Sequence, residues 1–73
     1  RNPEAAQRAM ETIWAALHRL ERFPNLGRPT KASEIRQIVV AFARRGYIVR
    51  YRVLPEDGAI LVTRVWHARE RRE

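Results

Sequence analysis

Residues 34–67 read EIRQIVVAFARRGYIVRYRVLPEDGAILVTRVWH. Three runs within it, IRQIVVAF, YIVRYRVL and AILVTRVW, are dense in β-branched and aromatic side chains, which fit a pleated, half-buried surface. ARRG separates the first run from the second, and PEDG the second from the third. Asp57-Gly58 between two such runs is a hairpin signal, because these residue types tolerate the backbone angles of a tight turn. Strands are therefore expected at about 35–42, 47–54 and 59–67, joined as an antiparallel meander. Side chains alternate across a strand. In the second run Tyr47, Val49, Tyr51 and Val53 share one face, and Ile48, Arg50, Arg52 and Leu54 the other. In the third, Ile60, Val62, Arg64 and Trp66 oppose Leu61, Thr63, Val65 and His67. Neither face is cleanly polar. One should pack on a helix and the other should form a part-polar surface, and alternation leaves open which is which.

The helix lies upstream. PEAAQRAMETIWAALHRLER, residues 3–22, carries Ala6, Met10, Ile13, Leu17 and Leu20 at 3.6-residue spacing, with Trp14 along the edge of the stripe. Asn2 suits the N-cap and Pro3 the first helical position. Glu4 favours the positive end of the helix dipole and is placed to pair with Arg8 one turn on. Pro24 ends the helix, and NLGRPTKASE, residues 25–34, reads as a loop punctuated by Gly27 and Pro29. The fold class is thus α+β, a helix packed on a three-stranded antiparallel meander, with residues 1–73 forming one domain.

Size and charge narrow the functional classes. A chain of 73 residues buries only about 60% of the surface exposed when unfolded, so its core is thin. It has no cysteine, hence no disulfide or thiolate–metal staple, which suits a reducing cytoplasm. No apolar run approaches the roughly 20 residues of a membrane span. Fifteen Lys and Arg against eight acids leave a net charge of +7. Residues 1–26 hold +1 of that excess and residues 27–73 hold +6; all but one of the bases are arginine. Forked guanidinium groups suit carboxylate and phosphate better than point charges do, so an acidic partner is implied: nucleic acid, an acidic protein segment, or both.

Catalytic constellations are sparse. Ser33 is the single serine and sits beside Glu34, so a hydrolytic triad is poorly supported. His18 and His67 lack ligand-like spacing, and no metal or other cofactor is expected. Glu56 and Asp57 are explained by turn chemistry, and the Gly27 loop lacks the glycine spacing of a phosphate cradle. What remains is arginine, tyrosine and one histidine on a sheet, groups able to cleave RNA without metal. One base takes the 2′-hydroxyl proton, arginines stabilise the phosphorane charge, and an acid protonates the leaving oxygen. His67 is the candidate acid or base, with Arg36, Arg52, Arg64 and Arg69 candidates for phosphate. The alternative is that His67 closes a strand, the tyrosines pack in the core and the arginines cover the sheet.

The order of these signals resembles the ParE/RelE superfamily of bacterial type II toxin–antitoxin pairs, and its ParE branch in particular. The resemblance is carried by Phe23-Pro24 with Gly27-Arg28-Pro29 after the helix, Arg36 opening a strand, Tyr51-Arg52-Val53, and the closing Val65-Trp66-His67-Ala68-Arg69. It spans nearly the whole chain. It implies a strand and a helix ahead of Arg1, so the chain looks like a family domain without them. It also implies a cognate antitoxin, whose acidic, partly disordered segment would meet Arg36, Arg50, Arg52, Arg64 or Arg69 in a hetero-oligomer.

Two activities belong to the superfamily. ParE-like members are inhibitors of DNA gyrase and not enzymes. RelE-like members cut mRNA on the ribosome with basic and aromatic residues of the sheet. His67 falls where some nucleases carry a catalytic histidine, and Arg36 matches a widely shared basic residue. Ile48, however, stands about where those nucleases place a catalytic arginine, and ARERRE after His67 lacks the terminal tyrosine of several of them. The resemblance therefore favours a gyrase inhibitor of the cytoplasm, with plasmid stabilisation as the associated role. The alternatives are a ribosome-dependent endoribonuclease and a basic domain that only binds nucleic acid.

Overall fold

The computed structural model describes residues 2–69. Helix α1 runs Pro3–Arg22 as the periodicity requires. Asn2 Oδ1 accepts a hydrogen bond from the Ala5 N–H at 3.2 Å, and the Phe23 N–H donates to the Arg19 carbonyl at 2.8 Å. The anticipated Glu4–Arg8 pair does not form. Among the described residues the ion pair is Arg52–Glu34, at 3.3 Å. An exposed pair one turn apart is worth only about 0.3–0.5 kcal/mol, too little to hold two flexible side chains together.

Four strands follow: β1 (Arg28–Pro29), β2 (Arg36–Val40), β3 (Tyr47–Val53) and β4 (Ile60–His67), antiparallel throughout and in that order across the sheet. The meander β2–β3–β4 is the expected one. Strand β1 lies in a segment read as loop, because two residues including a proline carry no periodicity. It pairs Arg28 with Gln37 and Pro29 with Arg36. The Thr30 N–H then closes onto the Ile35 carbonyl at 3.0 Å.

Strand β2 stops at Val40, two residues earlier than expected, where the chain enters a turn with Ala43 at φ 56° and Gly46 at φ 116°. A side chain at Gly46 would run into the Val40 carbonyl oxygen, so glycine is required there for space as well as for angle.

The helix lies on one face of the sheet with Ala16 against Val40 and Val49, ringed by Ile13, Leu17, Ile38, Tyr47 and Val62. The buried helical side chains are Ala9, Ala16 and Leu20. The expected stripe is thus displaced: Ala6 and Met10 are exposed, and Ala9 and Ala16 take the seam. Small residues let the helix approach the sheet closely, a preference that a hydrophobicity pattern does not register.

Strand β4 departs further from simple alternation. Arg50 stands opposite Arg64, but Tyr51 stands opposite Val62, so Thr63 is an extra residue, a β-bulge. The alternation reverses across it. Ile60 and Val62 lie on the helix side together with Val65 and His67, whereas Leu61, Arg64 and Trp66 lie on the other. The grouping of Val62 with Arg64 and Trp66 expected from an unbroken strand is therefore corrected by the bulge.

Candidate interaction face

The face of the sheet turned away from α1 carries Gln37 and Val39 from β2, Ile48, Arg50 and Arg52 from β3, and Leu61, Arg64 and Trp66 from β4. Trp66 is 8% exposed although no helix covers it. Two arginines cover it instead: the guanidinium carbons of Arg50 and Arg64 each lie 5.2 Å from its ring centroid. Such stacking is worth about 0.5–1 kcal/mol per cation at a solvent-exposed site. Arg50 Nε also donates to Gln37 Oε1 at 2.9 Å, and Arg52 is held by Glu34. The result is two guanidinium groups fixed over an aromatic base with a third, that of Arg52, held beside them by Glu34, all flanked by Val39 and Leu61, which are 65% and 44% exposed. Only the bulge at Thr63 brings Arg64 and Trp66 to this side.

Arg36 belongs elsewhere. It stands on the helix side of β2 and donates from Nη1 to the Gly27 carbonyl. The Tyr51 hydroxyl, fully buried, accepts from the Gly27 N–H at 2.9 Å and donates to the Pro24 carbonyl at 2.7 Å. Pro24, Gly27, Arg36 and Tyr51 therefore form one hydrogen-bonded knot that pins the loop after α1 to the centre of the sheet. Gly27 is glycine because an added Cβ would come within 2.7 Å of the Tyr51 ring.

His67 lies at the far end of β4, its ring edge-on to Tyr47 with centroids 5.2 Å apart. Its Nδ1 accepts the Arg69 N–H at 2.9 Å, which starts the turn that follows the strand. Arg36 is opposite Tyr51, and His67 is opposite Tyr47 on the other neighbour of β3. Four residues along the strand separate them, about 13 Å at roughly 3.3 Å per residue, before two strand spacings are added. The structure does not bring these two together.

Three locations result. Arg50, Arg52, Arg64 and Trp66 share the open face, with Gln37 and Glu34 as orienting groups that the sequence reading did not single out. Gly27, Arg36 and Tyr51 share the knot, and Arg28 and Pro29 make the strand beside it. His67 and Arg69 lie at the sheet end, next to Arg44 and Arg45, whose sequence signal was the arginine doublet of the ARRG turn. Among the described residues no three His, Cys, Asp or Glu side chains converge as a metal site, and no helix is long and apolar enough to cross a membrane.

Comparison with known proteins places the chain. Residues 1–72 match the family model described as ParE toxin of type II toxin-antitoxin system, parDE. The chain belongs to the ParE toxin family. This ParE-family chain is also 38% identical over 72 residues to Toxin RelE3 of Caulobacter vibrioides, an alignment covering 99% of the chain and 75% of that relative. No solved structure matches. The chain is accordingly a toxin of a type II toxin–antitoxin system, and membership of such a system implies a cognate antitoxin.

Proposed function

We propose that this toxin acts by binding protein rather than by cutting RNA, with DNA gyrase as its target. The observation that supports this is the separation of His67 from Arg36, each engaged in a hydrogen bond to its own backbone surroundings. Cleavage by that pair needs both groups within reach of one scissile phosphate. The antitoxin is proposed to lay an acidic, partly disordered segment over the open face. Its carboxylates would meet Arg50, Arg52 and Arg64, and its apolar side chains Val39 and Leu61. Purified gyrase assayed for supercoiling with micromolar toxin is the test. Inhibition relieved by the antitoxin is expected; undiminished supercoiling without gyrase-dependent DNA breaks sinks the proposal.

One observation favours a second reading, cleavage of ribosome-bound mRNA: His67 stands beside the arginines of the sheet end, and the relative is named RelE3. Loss of a positioned acid or base costs about 10²–10⁴ in rate. If programmed ribosomes are cut by the wild type and spared by His67→Ala, the nuclease reading replaces the first. Either target would put the chain in the cytoplasm.

A further inference from the structure

At the end of the sheet opposite the knot, a cleft of about 400 Å³ opens between the β2–β3 turn and the residues after β4. Among the described residues its lining is Arg44, Arg45, Arg69 and Ala68. The backbone builds it. Ala43 and Gly46 take positive φ and so present the arginine doublet at the turn. The Ala68 N–H donates to the Gly46 carbonyl at 2.9 Å, which ties the chain after β4 to that same turn. The His67 Nδ1 bond to the Arg69 N–H then sets the direction in which Arg69 leaves the strand. Three guanidinium groups are thereby delivered to one place by two loops.

We infer that this cleft is a binding site for the phosphodiester backbone of duplex DNA. Its volume falls within the range of small-molecule pockets, but those are lined mainly by apolar and aromatic groups, and the described lining has none larger than Ala68. Tight protein interfaces centre on well-packed, fully desolvated pockets, and this open, arginine-lined cleft has no apolar wall to form one beyond Ala68. Single-stranded nucleic acid is gripped by stacking its bases on aromatic rings. The nearby rings are turned to one another instead, Tyr47 to His67 at 5.2 Å and to Phe42 at 6.2 Å. What three clustered guanidinium groups recognise without such aids is a row of phosphates whose bases stay stacked within the helix. The site is separate from the Arg50–Trp66–Arg64 face, so a toxin covered there by a partner keeps it open. The inference does not rest on gyrase being the target.

The test is fluorescence anisotropy of a labelled 20-base-pair duplex of arbitrary sequence against the whole chain, repeated across salt concentrations. Each phosphate contact contributes about 0.9 to the slope of log affinity against log salt. Arg44→Ala/Arg45→Ala is expected to lower that slope by about 1.8. Raising salt from about 50 to 200 mM then weakens the wild type about 12-fold more than the variant. Arg8→Ala/Arg19→Ala removes the same charge from exposed helix positions and is expected to leave the slope in place. Circular dichroism melting of both variants shows that each is folded. An equal drop in both slopes would mean diffuse charge and overturn the site. Tighter binding of a single-stranded RNA of equal length would overturn the duplex assignment.

Discussion

Tyr51 shows what one hydroxyl does in a thin core. It satisfies the Gly27 N–H and the Pro24 carbonyl at once, across more than 20 residues of chain. Tyr51→Phe keeps the ring and strands both partners, so a destabilisation of about 1–3 kcal/mol is expected, read from urea or thermal denaturation; an unchanged midpoint would show that other groups or water satisfy them. Arg36→Ala loses the bond to the Gly27 carbonyl and should destabilise as well, which makes it an unsafe probe of activity. The residues of this knot were legible in the sequence as a family signature, Phe23-Pro24, Gly27-Arg28-Pro29, Arg36 and Tyr51. That they touch was not, because nothing local in the letters links a loop glycine to a tyrosine two strands away. Gly27 in particular owes its identity to the ring above it and not to its backbone angles.

Elements set by local chemistry were readable, and those set by partners were not. Helix α1 has its cap, its first-turn proline and its stop written in adjacent residues, and its limits came out as expected. The two residues of β1 exist because β2 lies beside them. The bulge likewise answers to the fit of β4 on β3, and a sequence that reads as regular alternation hides it. The turns allow a ranked prediction. Both Gly46 and Gly58 have positive φ, at 116° and 74°, but a Cβ at Gly46 meets the Val40 carbonyl whereas one at Gly58 meets open space. Gly58→Ala should cost about 1–2 kcal/mol, the left-handed penalty alone. Gly46→Ala should cost clearly more, because steric overlap is added. Paired thermal melts decide it, and equal losses would mean that the Gly46 turn gives way freely. Because that turn also shapes the arginine cleft, Gly46→Ala should weaken DNA binding even where the chain stays folded.

At the scale of the molecule, two groups of arginines stand apart, one on the face of the sheet turned away from α1 and one at the end of the sheet. The tryptophan-backed face is proposed for the antitoxin, and the sheet end for phosphate. The division is testable with one pair of variants. Arg50→Ala/Arg64→Ala should weaken antitoxin binding about tenfold or more, as expected for charged groups that lose hydrogen-bonded partners. Arg44→Ala/Arg45→Ala should leave antitoxin affinity within about twofold. Calorimetric titration of both against the cognate antitoxin checks this, and a larger loss from the turn variant would merge the two surfaces. Composition pointed to an acidic partner but could not split the charge, since the split depends on Thr63. Counted from Ile60 and counted from His67, odd and even positions of β4 mean opposite things. A relative with one residue fewer there would need no bulge and would keep its aromatic side chain and flanking arginine on the same open face, whereas one that ran the extra residue through an unbroken strand would turn both toward the helix. Two toxins that differ in length at this one position can therefore present the same side of the sheet, provided the longer one absorbs its extra residue in a bulge. A β4 segment transplanted without the extra residue would keep surface and interior where they are, and the bulge is what lets the longer strand present the same face.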